Sequence, residues 1–199
     1  MENATNMSDR TNKADSSGNG DSLFFAHGGY RDLKSFQMAT LVVDLNVEFC
    51  ERYIDKRSRT HDQMTQAGRS GRQNIAEGSQ AAGTSKKTEL KLTSVARASL
   101  EELLLDYEDY LRQHRLRIWM KESQEAKAVR NLAYGKDKSC LSYSSYLENP
   151  EQGANMMICL IHQTNYLLDM QLKKLSEEFL AQGGFTERLY NKRQEYRRT

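Results

Sequence analysis

The stretch RSGRQNIAEGS, Arg69–Ser79, decides how the rest of the chain is read. Two glycines, two arginines, an asparagine and two serines suit a loop, yet the flanking residues carry helical periodicity. At about 100° per residue, Met64, Ala67, Gly68, Gly71, Ile75 and Gly78 fall on one side, with Asn74 at its edge. Gln66, Arg69, Arg72, Gln73 and Glu77 fall on the other. The glycines thus form one small-residue face that lets a neighbouring backbone approach closely. Each costs about 1 kcal/mol of helix propensity relative to alanine, which close packing must offset. A phosphate-cradling loop would need GxxxxGK[ST], or GxGxxG after a strand, and neither pattern occurs. The stretch reads as the interior of a helix.

Around it, four long helices are expected. The first runs from about Asp32 to Asp55, with one apolar stripe at Leu33, Phe36, Val43, Val47, Cys50 and Ile54. A second stripe, Met38, Leu41, Leu45, Phe49 and Tyr53, lies beside it. The second helix starts at Thr60, where Thr60 and Gln63 make a T-x-x-Q capping box, and stops by Gly83. The third follows Ser85 and runs to about His114, its core side being Leu92, Val95, Ala96, Ser99, Leu100, Leu103, Tyr107 and Tyr110. Lys86 and Lys87 in its first turn oppose the helix dipole at a cost of a few tenths of a kcal/mol, on the order of 0.3. Phosphate contact is one reason to keep them there.

The fourth helix is announced by Asn149-Pro150-Glu151-Gln152, an N-cap followed by proline at the first helical position, and it ends at Gly183-Gly184. Its inner seam is Met157, Ile161, Thr164, Leu168, Leu172, Leu175 and Phe179. A second seam, Met156, Leu160, Gln163, Leu167 and Met170, runs alongside. A helix apolar on two faces must bury both. A homo-oligomer is therefore expected, with the surplus faces of the first and fourth helices, Met156, Leu160, Leu167 and Met170 among them, at the interface between copies; the alternative is that the segment from Arg115 to Glu148 covers them. That segment holds the single tryptophan, Trp119, a short helix near Gln124–Ala133, and the stretch SCLSYSSYLEN.

One proline among 199 residues and the near absence of strand-like alternation give an all-α class: an up-down four-helix bundle with an inserted helical segment and a basic C-terminal suffix. Apolar content of 38% falls below the usual range, and the deficit sits mainly in MENATNMSDRTNKADSSGNGDS. Residues 1–28 therefore read as a disordered tail and not a signal peptide, 29–183 as the bundle with its insertion at about 115–148, and 184–199 as the suffix. No window has the roughly 18 consecutive apolar residues of a membrane span. Cys50, Cys140 and Cys159 are too scattered for a metal or redox motif and fit a reducing cytoplasm.

Net charge is +2 but uneven. Arg52 to Arg97 holds ten Lys/Arg against four acids, a surplus of +6. Ala98 to His114 carries −4, and Phe185 to Thr199 carries +3. Arg69, Arg72, Lys86, Lys87, Arg188, Lys192, Arg193, Arg197 and Arg198 are the candidates for phosphate contact, with Tyr190 and Tyr196 able to stack on unpaired bases. The histidines at 27, 61, 114 and 162 lack HxxxH or HExxH spacing, and no GxSxG occurs. Cys159 and His162, three residues apart, are the one cysteine–histidine neighbourhood. No metal, cofactor or catalytic residue is expected.

RSGRQNIAEGS also resembles the signature of the four-helix-bundle family of 23S rRNA intervening-sequence proteins, which includes the accessory variability determinant of diversity-generating retroelements. Tyr30–Lys34 is similar to that family's entry into its first helix. Glu89-Leu90 and Ala98–Leu103 resemble its third-helix pattern, and Gly183–Arg197 resembles the basic suffix of its longer members. The resemblance implies an up-down bundle that assembles into a ring, commonly a pentamer, with a basic surface. In the retroelement branch it implies a non-enzymatic partner of a reverse transcriptase and its RNA. Asn74 and Glu77, with Gly71 and Gly78, then read as a structural motif: a polar network and a close approach between helices. A protein-interaction scaffold without nucleic-acid binding is the alternative.

Overall fold

The computed structural model describes residues 27–133 and 140–198. Most of the expected N-terminal tail (1–26) and part of the expected insertion (134–139) lie outside them. Six α-helices occur: α1 (Lys34–Tyr53), α2 (Arg59–Ala81), α3 (Lys86–Gln113), α4 (Gln124–Leu132), α5 (Pro150–Gln182) and α6 (Phe185–Arg198). Short 3-10 segments at Tyr30–Asp32 and Cys140–Glu148 complete the regular structure, and no strand is present among the described residues.

The ends follow local chemistry. The Ser85 hydroxyl accepts from the Thr88 amide, and the Asn149 side chain accepts from the amides of Glu151 and Gln152. Gly183, at φ +67°, ends α5 in a conformation that favours glycine. Thr60 is not the cap expected for α2. Ser58 takes that role, its side chain accepting from the His61 amide, because Ser58 is the residue with extended backbone. At the end of α3, Arg115 adopts φ +57°, its amide donating to Arg112 O and that of Leu116 to Leu111 O. These two bonds close a Schellman motif on an arginine.

The glycine face of α2 is buried as the periodicity requires: Met64, Ala67, Gly68, Gly71, Ile75 and Gly78 all lie inside. Gly71 stands against Leu100 and Ala96 of α3, Gly68 near Leu103, and Gly78 against Glu89, Leu92 and Thr93. Residue numbers fall on α3 as they rise on α2, so the pair is antiparallel. The same test gives antiparallel packing for α1 with α2 (Asn46 with Met64, Val43 with Gly68) and α1 with α5 (Ser35 with Gln171, Phe49 with Gly153). It holds also for α3 with α5, through Lys86 with Glu178, Arg97 with Asp169 and Glu101 with Asn165.

Between α1, α2 and α3 lies one buried polar knot. Asn46 donates to the Met64 carbonyl at 3.0 Å and accepts from the Tyr107 hydroxyl at 2.8 Å. Around it the core is mainly apolar, with Phe49, Leu45, Leu100, Leu103, Met157 and Ile161 fully enclosed. Val95 does not join it as expected: it is 39% exposed, standing about 110° around α3 from the Leu100–Leu103 seam. Val47 on α1 is exposed likewise.

The second seam of α5 is covered by its own chain. Met156 and Leu160 are fully buried, enclosed in the same cluster as Val129 and Ala133 of α4 and its end, and Tyr143 and Leu147 of the 3-10 segment. Asn155 ties the approach to this cover: its side chain accepts from the Trp119 amide and donates to the carbonyls of Arg117 and Glu151. Met156 and Leu160 are therefore not available at a surface between copies. Leu167 is half-buried and Met170 is 51% exposed, so only the distal part of that seam remains open.

Candidate nucleic-acid interface

The expected cationic residues fall into three groups. Arg69 and Arg72 lie mid-way along α2. Arg69 is exposed and Arg72 half-buried, on the side of the helix away from the contact with α3. Neither pairs with Glu77, which is itself exposed. The inter-helix polar link at this level runs instead from Asn74, which donates to the Ser70 carbonyl (2.9 Å) and hydroxyl (3.2 Å), to the Ser70–Ser99 hydroxyl contact at 3.1 Å. Asn74 belongs to a network between helices; Glu77 takes no part in it.

Lys86 and Lys87 begin α3 but differ in character. The Lys86 ammonium sits 3.0 Å from the Glu89 carboxylate and 3.8 Å from that of Glu178, with its side chain 11% exposed. That neutralisation explains how a lysine is tolerated at a helix N-terminus, and it removes Lys86 from the free cations. Burial pushes the Glu89 carboxyl above its usual range even with Lys86 beside it. Lys87 is exposed, and so is Lys91 one turn later, whose i, i+4 spacing from Lys87 was readable in the sequence but not singled out.

The third group is α6. This 14-residue helix has no buried residue. Thr186, Leu189, Tyr190, Arg193, Gln194 and Arg197 line one shallow groove along it. Arg188 and Lys192 fall on the opposite side at helical spacing, and Arg198 is exposed near the end. Tyr190 and Tyr196 are 63% and 85% exposed. Because Lys86 and Glu178 are in contact, the start of α3 and the end of α5 share one end of the molecule, and α6 begins there. Lys87, Lys91 and the base of α6 thus share one end, while Glu101, Glu102, Asp106, Glu108 and Asp109 lie toward the other end of α3.

Among the described residues no group of three or more His, Cys, Asp or Glu side chains is placed to hold a metal ion, and no helix is long and apolar enough to cross a membrane. Cys159 is half-buried and its thiol is pushed up by burial, and His162 is exposed. No family model matches the chain, and neither does any curated protein or solved structure compared with it.

Proposed function

We propose that α1, α2, α3 and α5 constitute an up-down four-helix bundle carrying an inserted segment and a basic suffix, and that the protein is a non-enzymatic, self-assembling RNA-binding factor. The observation that carries this reading is the shared cationic end: a basic helix with no buried residue springs from the end of the molecule that also presents Lys87 and Lys91. Cations of this kind contact phosphates and leave bases unread, while exposed tyrosines supply stacking surfaces for unpaired bases. The resemblance of RSGRQNIAEGS to the intervening-sequence family extends the reading to an accessory role beside a reverse transcriptase of a diversity-generating retroelement, in the cytoplasm.

The test is a titration of the purified full chain into a labelled structured RNA at about 50 and about 200 mM salt, repeated with Lys87→Ala/Lys192→Ala/Arg198→Ala and with Arg69→Ala/Arg72→Ala. Phosphate binding predicts a fall of tenfold or more with salt, and a log–log slope smaller by about 2 when three contacts are removed, at about 0.7 to 0.9 per phosphate. Loss in the second variant alone would move the interface to α2. No binding at low salt would leave a protein-interaction scaffold.

A further inference from the structure

The exposed side of α3 carries a pattern that matches one face of α6. Glu102 and Asp109 are exposed there, Asp106 is half-buried beside them, and Leu105, 56% exposed, flanks the stripe on the side away from Asp106. Asp109 pairs with Arg112 at 2.6 Å, but neither Glu102 nor Asp106 has an ion-pair partner among the described residues. On α6, Arg193 and Arg197 are flanked in one groove by Leu189 and Tyr190. Both faces thus combine apolar contact surface with two charges four residues apart, acidic on α3 and basic on α6. At about 1.5 Å per residue the two charge pairs have the same spacing, about 6 Å.

Within one chain the two charge pairs cannot meet in register. Asn165 of α5 is level with Glu101 of α3. Gly183 lies 18 residues beyond Asn165, or about 27 Å along the axis. Folded straight back along the bundle, α6 would bring Arg193 and Arg197 about 13 Å short of Glu102 and Asp106. Yet a helix of 14 residues with nothing buried is marginal in water by itself, so α6 needs a surface to lie on.

We propose that α6 of one copy docks along the outward stripe of α3 of a second copy, Arg193 and Arg197 meeting Glu102 and Asp106 around a Leu189–Tyr190–Leu105 contact. This rests on the self-assembly in the reading above and not on its RNA binding. Because the two surfaces differ, the contact is heterologous: it repeats head to tail, closing into a ring where the rotation allows and into an open chain where it does not. Arg188 and Lys192 stay on the outer side of the docked helix, clear of the contact. Burial, with Asp109 and Glu102 nearby, raises the Asp106 carboxyl above its ordinary value, in keeping with a carboxylate whose counter-charge comes from elsewhere.

The experiment is sedimentation equilibrium of the full chain, freed of nucleic acid, at about 50 and about 500 mM salt. The wild type is expected to run as a multimer at low salt and to shift toward single-chain mass at high salt. Arg193→Glu/Arg197→Glu and Glu102→Arg/Asp106→Arg should each run as single chains at low salt, losing no more helical circular dichroism than α6 contributes. An equimolar mixture of the two should regain the multimer, since each then offers the other a complementary face. A wild type at single-chain mass, or variants that keep the wild-type mass, would overturn the proposal. If Arg193→Glu/Arg197→Glu lost RNA affinity at unchanged mass, α6 would serve nucleic acid alone and docking would be wrong. If the mass pattern held while no RNA bound, the docking would stand and the RNA reading would fall.

Discussion

The Tyr107 hydroxyl donates to the Asn46 side-chain oxygen at 2.8 Å inside the core, with both residues essentially inaccessible to solvent. The same Asn46 spends its amide on the Met64 carbonyl, so three helices meet in one satisfied polar unit. Removing the hydroxyl leaves the oxygen with only the Cys50 thiol, 3.7 Å away and a weak donor. Tyr107→Phe should therefore destabilise the protein by about 1–2 kcal/mol, the cost of a buried acceptor stripped of its main partner. Urea denaturation checks this, and a change below about 0.5 kcal/mol would show that the bond contributes little.

Two glycines on the same buried face of α2 should respond to alanine with opposite signs. A Cβ at Gly71 would stand 2.8 Å from Leu100 Cγ and 2.9 Å from Cδ2, at the branch of a packed side chain and not at a flexible tip. Overpacking of about 1–3 kcal/mol then outweighs the helix propensity gained, about 1 kcal/mol. At Gly68 the nearest atoms are 3.5–3.7 Å away, which is ordinary contact, so Gly68→Ala should stabilise by about 0.5–1 kcal/mol. Equal shifts in the two denaturation midpoints would contradict this account.

These cases mark what the sequence disclosed. The buried face of α2 and the Asn149–Pro150 start of α5 follow from local rules, in which the spacing of small residues or one cap is sufficient. Choosing between Ser58 and Thr60 as the cap of α2 depends on backbone angles two residues apart, which composition does not encode. The cover over Met156 and Leu160 depends on a tertiary contact with a segment lacking clear periodicity, so the apolar second face pointed to a partner copy that these two residues do not meet. Lys86 looked like a free cation because its second carboxylate, Glu178, lies on a different helix. The candidate site was legible as a set of charges, but not as one shared cationic end, because the start of α3 and the base of α6 come together only once the helices are paired.

Arg115 holds a left-handed conformation, φ +57°, to complete the end of α3. An L-residue pays about 1–2 kcal/mol for this conformation, and glycine does not, though glycine gives back part of the gain through a freer unfolded chain. Arg115→Gly should stabilise by about 0.5–1 kcal/mol while leaving the amide bonds of residues 115 and 116 in place. A lower melting temperature would mean that the arginine side chain contributes more than its backbone costs.

Alkaline pH should unfold the protein through groups buried in neutral form. Burial raises the Cys50 thiol from 9.0 to about 12 and the Tyr143 phenol from 10.0 to about 12, and holds Tyr107 well above its ordinary value. Below about pH 8 these groups are protonated in both states and stability is flat with respect to them. Above it the unfolded chain ionises first, so stability falls as pH rises toward the folded-state values, by up to about 1.4 kcal/mol per pH unit for each group. Denaturant midpoints measured from pH 8 to 11 should decline, and Tyr143→Phe should decline less steeply above pH 10. In the native state at pH 8, Cys50 should resist a thiol reagent until the chain unfolds, since burial both shields the thiol and holds it protonated.

Asn155 is the peg that holds the covering segment, and its loss should be felt there first. It is 1% exposed and satisfies the Trp119 amide and the carbonyls of Arg117 and Glu151 at 2.7–2.8 Å. Asn155→Ala strands one donor, the Trp119 amide, and one acceptor, the Arg117 carbonyl, while Glu151 O keeps its place in the α5 ladder, at a cost of about 2–3 kcal/mol. Most of that cost falls on the attachment of residues 115–120 to α5, because the α2–α3 packing shares none of these bonds. Hydrogen exchange should therefore quicken at residues 116–120 while Gly71 and Leu100 keep their protection. Trp119 is the single tryptophan, so its emission should shift to the red in the native state. Asn155→Asp separates the two sides of the clamp: it keeps an acceptor for the Trp119 amide and loses the donor to the carbonyls. It also buries a carboxylate against two carbonyl oxygens that repel it, so a shift at least as large as that of Asn155→Ala is expected. Uniformly faster exchange across all helices would instead make Asn155 a part of the global core and not a local fastening.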